Sequence, residues 1–166
     1  MLFLPDFNKE LILQQMKKAT VLMGVPTFYV RLLELPNLSQ ETTAHMRLFV
    51  SGSAPLLAET HKRWSEVTGT AILERYGMTE TNMNASNPYD GERRAGTVGL
   101  ALPGVEVRIA DPDTGKELVQ GEIGSVEIRG PNVFKGYWQM PEKTKEEFRE
   151  DGFFITGDMG MKDKDN

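Results

Sequence analysis

Arg47-Leu-Phe-Val-Ser-Gly-Ser-Ala-Pro55 decides how the chain is read, because it joins a short apolar strand to a helix start through a glycine turn. Leu48, Phe49 and Val50 make the strand. Ser53 is placed to cap the helix, and Pro55 stands in its first turn, where a missing N–H costs nothing. That helix is expected to reach about Thr68, with Leu57, Trp64 and Val67 on its inner face and Gly69 as its stop. The same order recurs toward the N-terminus. Asn8 caps a helix through about Lys18, with Phe7 stapled onto it and Leu11, Ile12 and Met16 facing inward. Thr20-Val-Leu-Met-Gly-Val25 is a buried-type strand, and Pro26 opens a helix whose apolar positions are Phe28, Val30, Leu32 and Leu33, through Leu35. On the other side, Thr70-Ala-Ile-Leu-Glu-Arg75 is a third strand. Strand, helix, strand, helix, strand predicts right-handed crossovers on a parallel sheet, an α/β unit.

The pattern changes after Pro88. Val105, Val107 and Ile109 alternate with Glu106 and Arg108, and Val126 and Ile128 alternate with Glu127 and Arg129, the period of strands with one wet face. Asp111-Pro-Asp-Thr-Gly-Lys116 is the turn between them. Pro141 starts a short helix ending near Arg149, and Phe153-Phe-Ile155 is a further strand. The expectation is a parallel βαβαβ subdomain over residues 1–88 and a small antiparallel sheet or barrel over residues 89–166.

Composition narrows the classes of function. The 166 residues carry 19 Lys and Arg against 24 Asp and Glu, a net charge of −5, and no cysteine. A chain of this length buries about 70% of its unfolded surface, enough for a core. The absent cysteine excludes disulfides, thiolate zinc sites and cysteine nucleophiles. The acidic balance argues against nucleic-acid binding as the main role. No apolar run is long enough for a membrane span, and Met1-Leu-Phe-Leu4 is halted by Pro5 and Asp6 too soon for a signal peptide. A cytoplasmic location is therefore expected. A strand-like start at Leu2-Phe3-Leu4 and a polar turn-like close at Lys162-Asp-Lys-Asp-Asn166 read as the ends of a fragment.

Ligands of an open parallel sheet bind outside the carboxyl ends of its strands. Three segments are expected there: Pro26-Thr27, Ser51-Gly-Ser-Ala-Pro55 and Tyr76-Gly-Met-Thr-Glu-Thr81. The second offers free backbone N–H groups at a helix start, suited to an anion or a polar ligand edge, and would also suit an ordinary turn. The third gathers an aromatic face, a glycine, two hydroxyls and a carboxylate. Such a ring can stack on a purine, such hydroxyls can bond phosphate, and such a carboxylate can hold Mg²⁺. Read alone it would also suit a polar loop.

Tyr76-Gly-Met-Thr-Glu-Thr81 resembles a core motif of the adenylate-forming (AMP-binding) superfamily, which includes acyl-CoA synthetases, luciferases and peptide-synthetase adenylation domains. Three more segments agree in order. Ser51-Gly-Ser-Ala-Pro55 resembles the adenine-side turn. Gly121-Glu-Ile-Gly-Ser-Val, on through Gly130 to Gly136-Tyr-Trp138, resembles the Gly-Glu…Gly-Tyr-Trp segment. Phe154-Ile-Thr-Gly-Asp158 resembles the Thr-Gly-Asp motif. Within the superfamily, Gly24–Leu33, Leu73–Asn84 and Gly130–Trp138 are most similar to malonyl-CoA synthetases.

The resemblance implies an ATP-dependent acid–CoA ligase. Its carboxylic acid, with malonate favoured, would first form an acyl-adenylate and then a thioester with coenzyme A. Tyr76 would stack on adenine opposite Ser53 and Ala54, with Glu74 near the adenine amino edge through its backbone and Gly77 and Met78 continuing the nucleotide contact. Thr79 would meet the α-phosphate, Glu80 would bind Mg²⁺ and Asp158 would hold the ribose hydroxyls. Arg31 would pair with the distal carboxylate of malonate, a task suited to a bidentate guanidinium. Another short carboxylic acid, or a non-catalytic nucleotide-binding product, are the competing readings. The family's phosphate loop with its lysine and its C-terminal lysine-bearing domain find no match in these residues, so the 166 residues alone are expected to be inactive.

Other signals have plainer readings. Asp111-Pro-Asp113 is a hairpin turn and not a calcium loop. His45 and His61 suit surface or core-edge roles. Lys143, Lys145, Glu146 and Glu147 form a solvated helix face. Trp64 and Trp138 read as packing residues, and Glu92-Arg93-Arg94 as an exposed loop.

Overall fold

The computed structural model describes residue 2 and residues 4–165. In chain order the elements are α1 (Lys9–Met16), β1 (Val21–Gly24), α2 (Pro26–Leu32), α3 (Gln40–Thr43), β2 (Leu48–Ser51), α4 (Ala58–Thr68) and β3 (Leu73–Met78). They continue as β4 (Asn82–Ser86), β5 (Leu100–Ala101), β6 (Glu106–Ala110), β7 (Gly124–Arg129), α5 (Pro141–Glu146) and β8 (Phe154–Gly160). Strands β1 and β2 pair in parallel from Val21 opposite Leu48 to Gly24 opposite Ser51. Strands β2 and β3 are also parallel, with Ser51 opposite Glu74. The five-stranded sheet runs in the order β1-β2-β3-β4-β5, and β6-β7-β8 form a separate antiparallel sheet. The α/β unit and the antiparallel sheet are thus both present. The strand-like reading of Leu2-Phe3-Leu4 falls partly outside the described residues.

The chain divides into two compact units. The first takes the residues up to Tyr76 together with Ser86–Gly99, and the second takes Gly77–Ala85 and the residues from Leu100 onward. Pro88 lies within the first.

The core of the first unit is built around Trp64, fully buried on α4. Tyr29 meets its ring edge-on at 4.8 Å, and Phe49 meets it at 5.0 Å. Tyr29 reaches through this apolar cluster to donate its hydroxyl to the Val50 carbonyl at 2.6 Å, as a buried phenol must. Burial pushes its phenol well above the ordinary range.

Several local expectations change. The helix after β2 starts at Ala58, not at Ser53. Ser53 adopts a left-handed φ of 67°, which moves the turn off the helical path, and Leu57 is left extended at the cap with 69% of its surface exposed. His61 and Thr68 join Trp64 on the buried face in its place. Leu13, not Leu11, packs inward from α1 beside Ile12 and Met16, and Tyr29 does so from α2 while Val30 points outward. Strand β3 extends to Met78, so Tyr76-Gly77-Met78 is strand and not loop. Arg93 is not a loose loop residue. It donates to the carbonyls of Ala71 at 2.7 Å and Tyr89 at 2.8 Å, and so straps its loop down. The single turn α3, with its Ser39–Thr42 capping box, and strands β4 and β5 were not expected from the sequence.

His61 is 4% exposed, and its Nε2 faces the Ile72 carbonyl at 3.0 Å, so that nitrogen carries the proton of a neutral ring. Burial lowers its pKa from the ordinary 6.5. A base depressed in the folded state favours folding fully above the unfolded value and loses that contribution as pH falls through 6.5 toward the folded value. The melting temperature is expected to fall between pH 7.5 and 5.5, and His61→Gln to flatten that slope. Calorimetry across this range checks it, and an unchanged slope in the variant would reject His61 as its source.

In the second unit, Glu127 contradicts the alternation that put it on the wet face. It is completely buried. Arg108 reaches its Oε2 at 2.7 Å and Arg149 its Oε1 at 2.9 Å, so two cations from neighbouring segments cover that face of β7 and neutralise the carboxylate. Asp111 accepts from the Thr114 N–H at 2.7 Å and its hydroxyl at 2.8 Å, which fixes the turn after β6 and holds its carboxyl below the usual range. Trp138 is not a packing residue. The left-handed Gln139, φ 55°, turns the chain beside it and leaves the indole 87% exposed.

Candidate functional site

In the first unit the site begins where β2 ends. Ser51 is buried, and Ser53 and Ala54 follow on the exposed turn. A left-handed serine is a strained conformation of a kind that clusters at ligand clamps. Glu74, opposite Ser51 on β3, holds this turn. Its Oε1 accepts from the Leu56 N–H at 3.0 Å, and burial raises its carboxyl pKa while that bond opposes the shift. The Glu74 carbonyl is occupied twice, by the Asn87 backbone N–H at 3.0 Å and the Asn87 amide at 3.1 Å. Both of that oxygen's lone pairs are used. Glu74 Oε2 and Ser51 Oγ are buried with no hydrogen-bond partner, two polar atoms left open beside the turn. Tyr76, half-buried, lies two residues further along β3. Arg31 stands in the last turn of α2, exposed, its guanidinium 5.2 Å from the Phe7 ring centre.

In the second unit, Gly77 and Met78 finish β3, and Thr79 and Glu80 form the turn into β4. The turn is tight. A Cβ on Gly77 would lie 2.0 Å from the Asn82 carbonyl oxygen, so only glycine fits. Asn82 itself is left-handed at φ 52°. Beneath the turn, Thr81 and Asn84 are both completely buried, and the Asn84 amide donates to Thr81 Oγ1 at 2.8 Å. Asn132 donates to the Thr81 carbonyl at 2.6 Å and to Asn84 Oδ1 at 3.0 Å. The Phe134 N–H donates to the Glu80 carbonyl at 2.7 Å, and the Tyr137 hydroxyl to Glu80 Oε1 at 3.3 Å. Asp158 is exposed on β8 just past Gly157, whose φ is 79°, and its N–H donates to Thr156 Oγ1 at 3.1 Å.

Sequence reading had picked out Ser53, Ala54, Glu74 and Tyr76, which fall in the first unit with Arg31, and Gly77, Met78, Thr79, Glu80 and Asp158, which fall in the second. It missed Asn84, Asn87, Asn132, Phe134 and Tyr137. The signal for the three asparagines was an amide in or beside a strand segment, since a buried amide has to be hydrogen-bonded, whereas Phe134 and Tyr137 act across the chain on Glu80 and no local pattern marks them.

The first unit is thus a parallel strand–turn–helix arrangement, and the end of β3 carries an aromatic residue and a glycine followed by a turn with a hydroxyl and a carboxylate. The sequence profile of the AMP-binding enzyme family matches residues 1–138, and the chain belongs to that family. Over 98% of its length it is 69% identical to MatB from Rhodopseudomonas palustris, solved with ATP bound, with a TM-score of 0.95, and it covers 32% of that protein. It is 46% identical to a malonyl-CoA ligase solved as a ternary product complex with methylmalonyl-CoA and AMP, with a TM-score of 0.83 and 96% of this chain and 35% of that one covered. The malonate–CoA ligase of Arabidopsis thaliana is 44% identical over 88% of this chain and 25% of its own length. The chain thus spans about a third or less of the relatives it matches. Among the described residues no helix is long and apolar enough to cross a membrane.

Proposed function

We propose that these residues form the nucleotide- and acid-binding segment of an ATP-dependent malonate–CoA ligase. The observation that carries this reading is the Tyr76–Thr81 strand end and turn, in a chain 69% identical to MatB solved with ATP. Tyr76 stacks on adenine against the Ser53-Ala54 turn, which Glu74 braces, and Gly77 and Met78 carry the backbone past the nucleotide. Thr79 bonds the α-phosphate, and Asp158 accepts from the ribose hydroxyls. A malonate oxygen attacks the α-phosphorus and pyrophosphate leaves. The coenzyme A thiolate then attacks the acyl carbon and AMP leaves. Magnesium takes one or two carboxylates and completes its shell with water and phosphate oxygens, so a single carboxylate at Glu80 fits it. When bound, the ion neutralises charge on the phosphates.

Arg31 meets the second carboxylate of malonate. Arg31→Ala, in the full-length polypeptide that carries these residues, is expected to raise the malonate KM about 10- to 100-fold, the cost of a charged hydrogen-bonded pair. The ATP KM should stay within about twofold. Steady-state AMP release measures both. Equal rises would remove Arg31 from the acid site, and turnover of a monocarboxylic acid with none of malonate would overturn the substrate.

A further inference from the structure

Resting on the reading of Glu80 as a divalent-cation ligand, we infer that the Gly130–Tyr137 segment is the device that aims its carboxylate, with Tyr137 as the positioning residue. Glutamate side chains sample many rotamers, and a lone one on a turn is a poor metal ligand until something fixes it. Here one segment fixes it twice. The Phe134 N–H holds the Glu80 carbonyl at 2.7 Å, and the Tyr137 hydroxyl holds Oε1 at 3.3 Å.

The holder is itself held. The Phe134 and Tyr137 rings meet edge-on at 4.8 Å, and Phe134 packs against Phe154 at 5.3 Å. The Tyr137 N–H donates to Thr144 Oγ1 at 2.9 Å. Gly136, with φ 142°, passes so close to Thr144 that a Cβ there would lie 2.6 Å from its methyl group. Asn132 secures the same segment to the turn through the Thr81 carbonyl at 2.6 Å.

A phenol is the right partner chemically. It donates one hydrogen bond and brings no positive charge, so the carboxylate keeps the charge a divalent cation needs. A lysine in its place would compete with the metal. The nearby Lys143, whose charge is felt at Tyr137, is paired with Glu147. A phenol keeps its proton at neutral pH and so remains a donor.

The test is Mn²⁺ binding to the full-length polypeptide in the presence of ATP, read by water-proton relaxation. The magnesium dependence of ATP–pyrophosphate exchange is the second readout. Tyr137→Phe is expected to weaken Mn²⁺ binding about tenfold, as loss of an outer-shell partner does, with the exchange rate recovering at high Mg²⁺ and an unchanged melting temperature. In a Glu80→Gln background the same change should have no further effect. If Glu80→Gln weakens Mn²⁺ binding and Tyr137→Phe does not, the positioning role is wrong and the Glu80 reading survives. If Glu80→Gln leaves Mn²⁺ binding unchanged, the Glu80 reading itself falls. Should Tyr137→Phe fail to fold, Thr144→Val releases the Tyr137 N–H without touching the phenol. It is expected to shift Mn²⁺ binding in the same direction, and no shift would overturn the inference.

Discussion

Gly77→Ala is expected to destabilise the protein by about 3 kcal/mol, the upper part of the range for overpacking. For a chain of this length that is a fall of roughly 6–12 °C in melting temperature. The added methyl would sit 2.0 Å from the Asn82 carbonyl oxygen and 2.9 Å from Met83 Cε. The methionine can swing away, but the carbonyl belongs to the other arm of the turn and moves only if the turn opens. An opened turn displaces Thr79 and Glu80, so on the proposed function ATP binding by the full-length polypeptide should be lost along with stability. Gly104→Ala is the control. Its Cβ would meet nothing within 4 Å, and only its left-handed φ of 80° is strained. Differential scanning calorimetry of the two variants decides the matter, and equal, small shifts would show that the turn yields easily.

Glu127→Ala is expected to cost about 3 kcal/mol, the lower end of what breaking a buried ion pair costs. The lower end applies because the stranded partners have other outlets. Arg108 keeps Asp151, and Arg149 is 24% exposed and can turn to water. Asp151→Asn breaks the opposite arm of the same network at a side chain 48% exposed. It should cost less than about 1 kcal/mol, as exposed pairs do. Urea unfolding gives both values. A Glu127 variant no less stable than the Asp151 variant would mean that burial of the charge contributes nothing beyond what water would supply.

Much of the fold was legible from local chemistry. Asn8 accepts from the Leu11 N–H as a cap should, Pro26 sits at the first position of α2, and Gly69 ends α4 with φ 74°. These signals depend on one or two residues and their own backbone, so the sequence displays them. The errors came where a distant partner decides. Ser53 has the composition of a helix cap, yet the Leu56 N–H is claimed by the Glu74 carboxylate from β3, and the helix starts later. Glu127 obeys a two-residue alternation that predicts solvent, but Arg149, far along the chain, covers it. The same holds for the candidate site. Tyr76, Thr79 and Glu80 fall within one five-residue stretch and read as a motif. Tyr137 reaches Glu80 from a different segment, and no spacing rule connects them.

The two tryptophans occupy opposite extremes, Trp64 fully buried and Trp138 87% exposed. They therefore report on different events by fluorescence. The Trp64 indole lies between Tyr29 and Phe49, and its emission shifts to the red only when the core of the first unit opens. The Trp138 indole is solvated from the outset and open to a collisional quencher such as iodide. It adjoins Tyr137, so its quenching follows the segment that grips Glu80 while the fold stays intact. One spectrum thus carries separate optical channels for unfolding and for events beside the Thr79-Glu80 turn, with no label added.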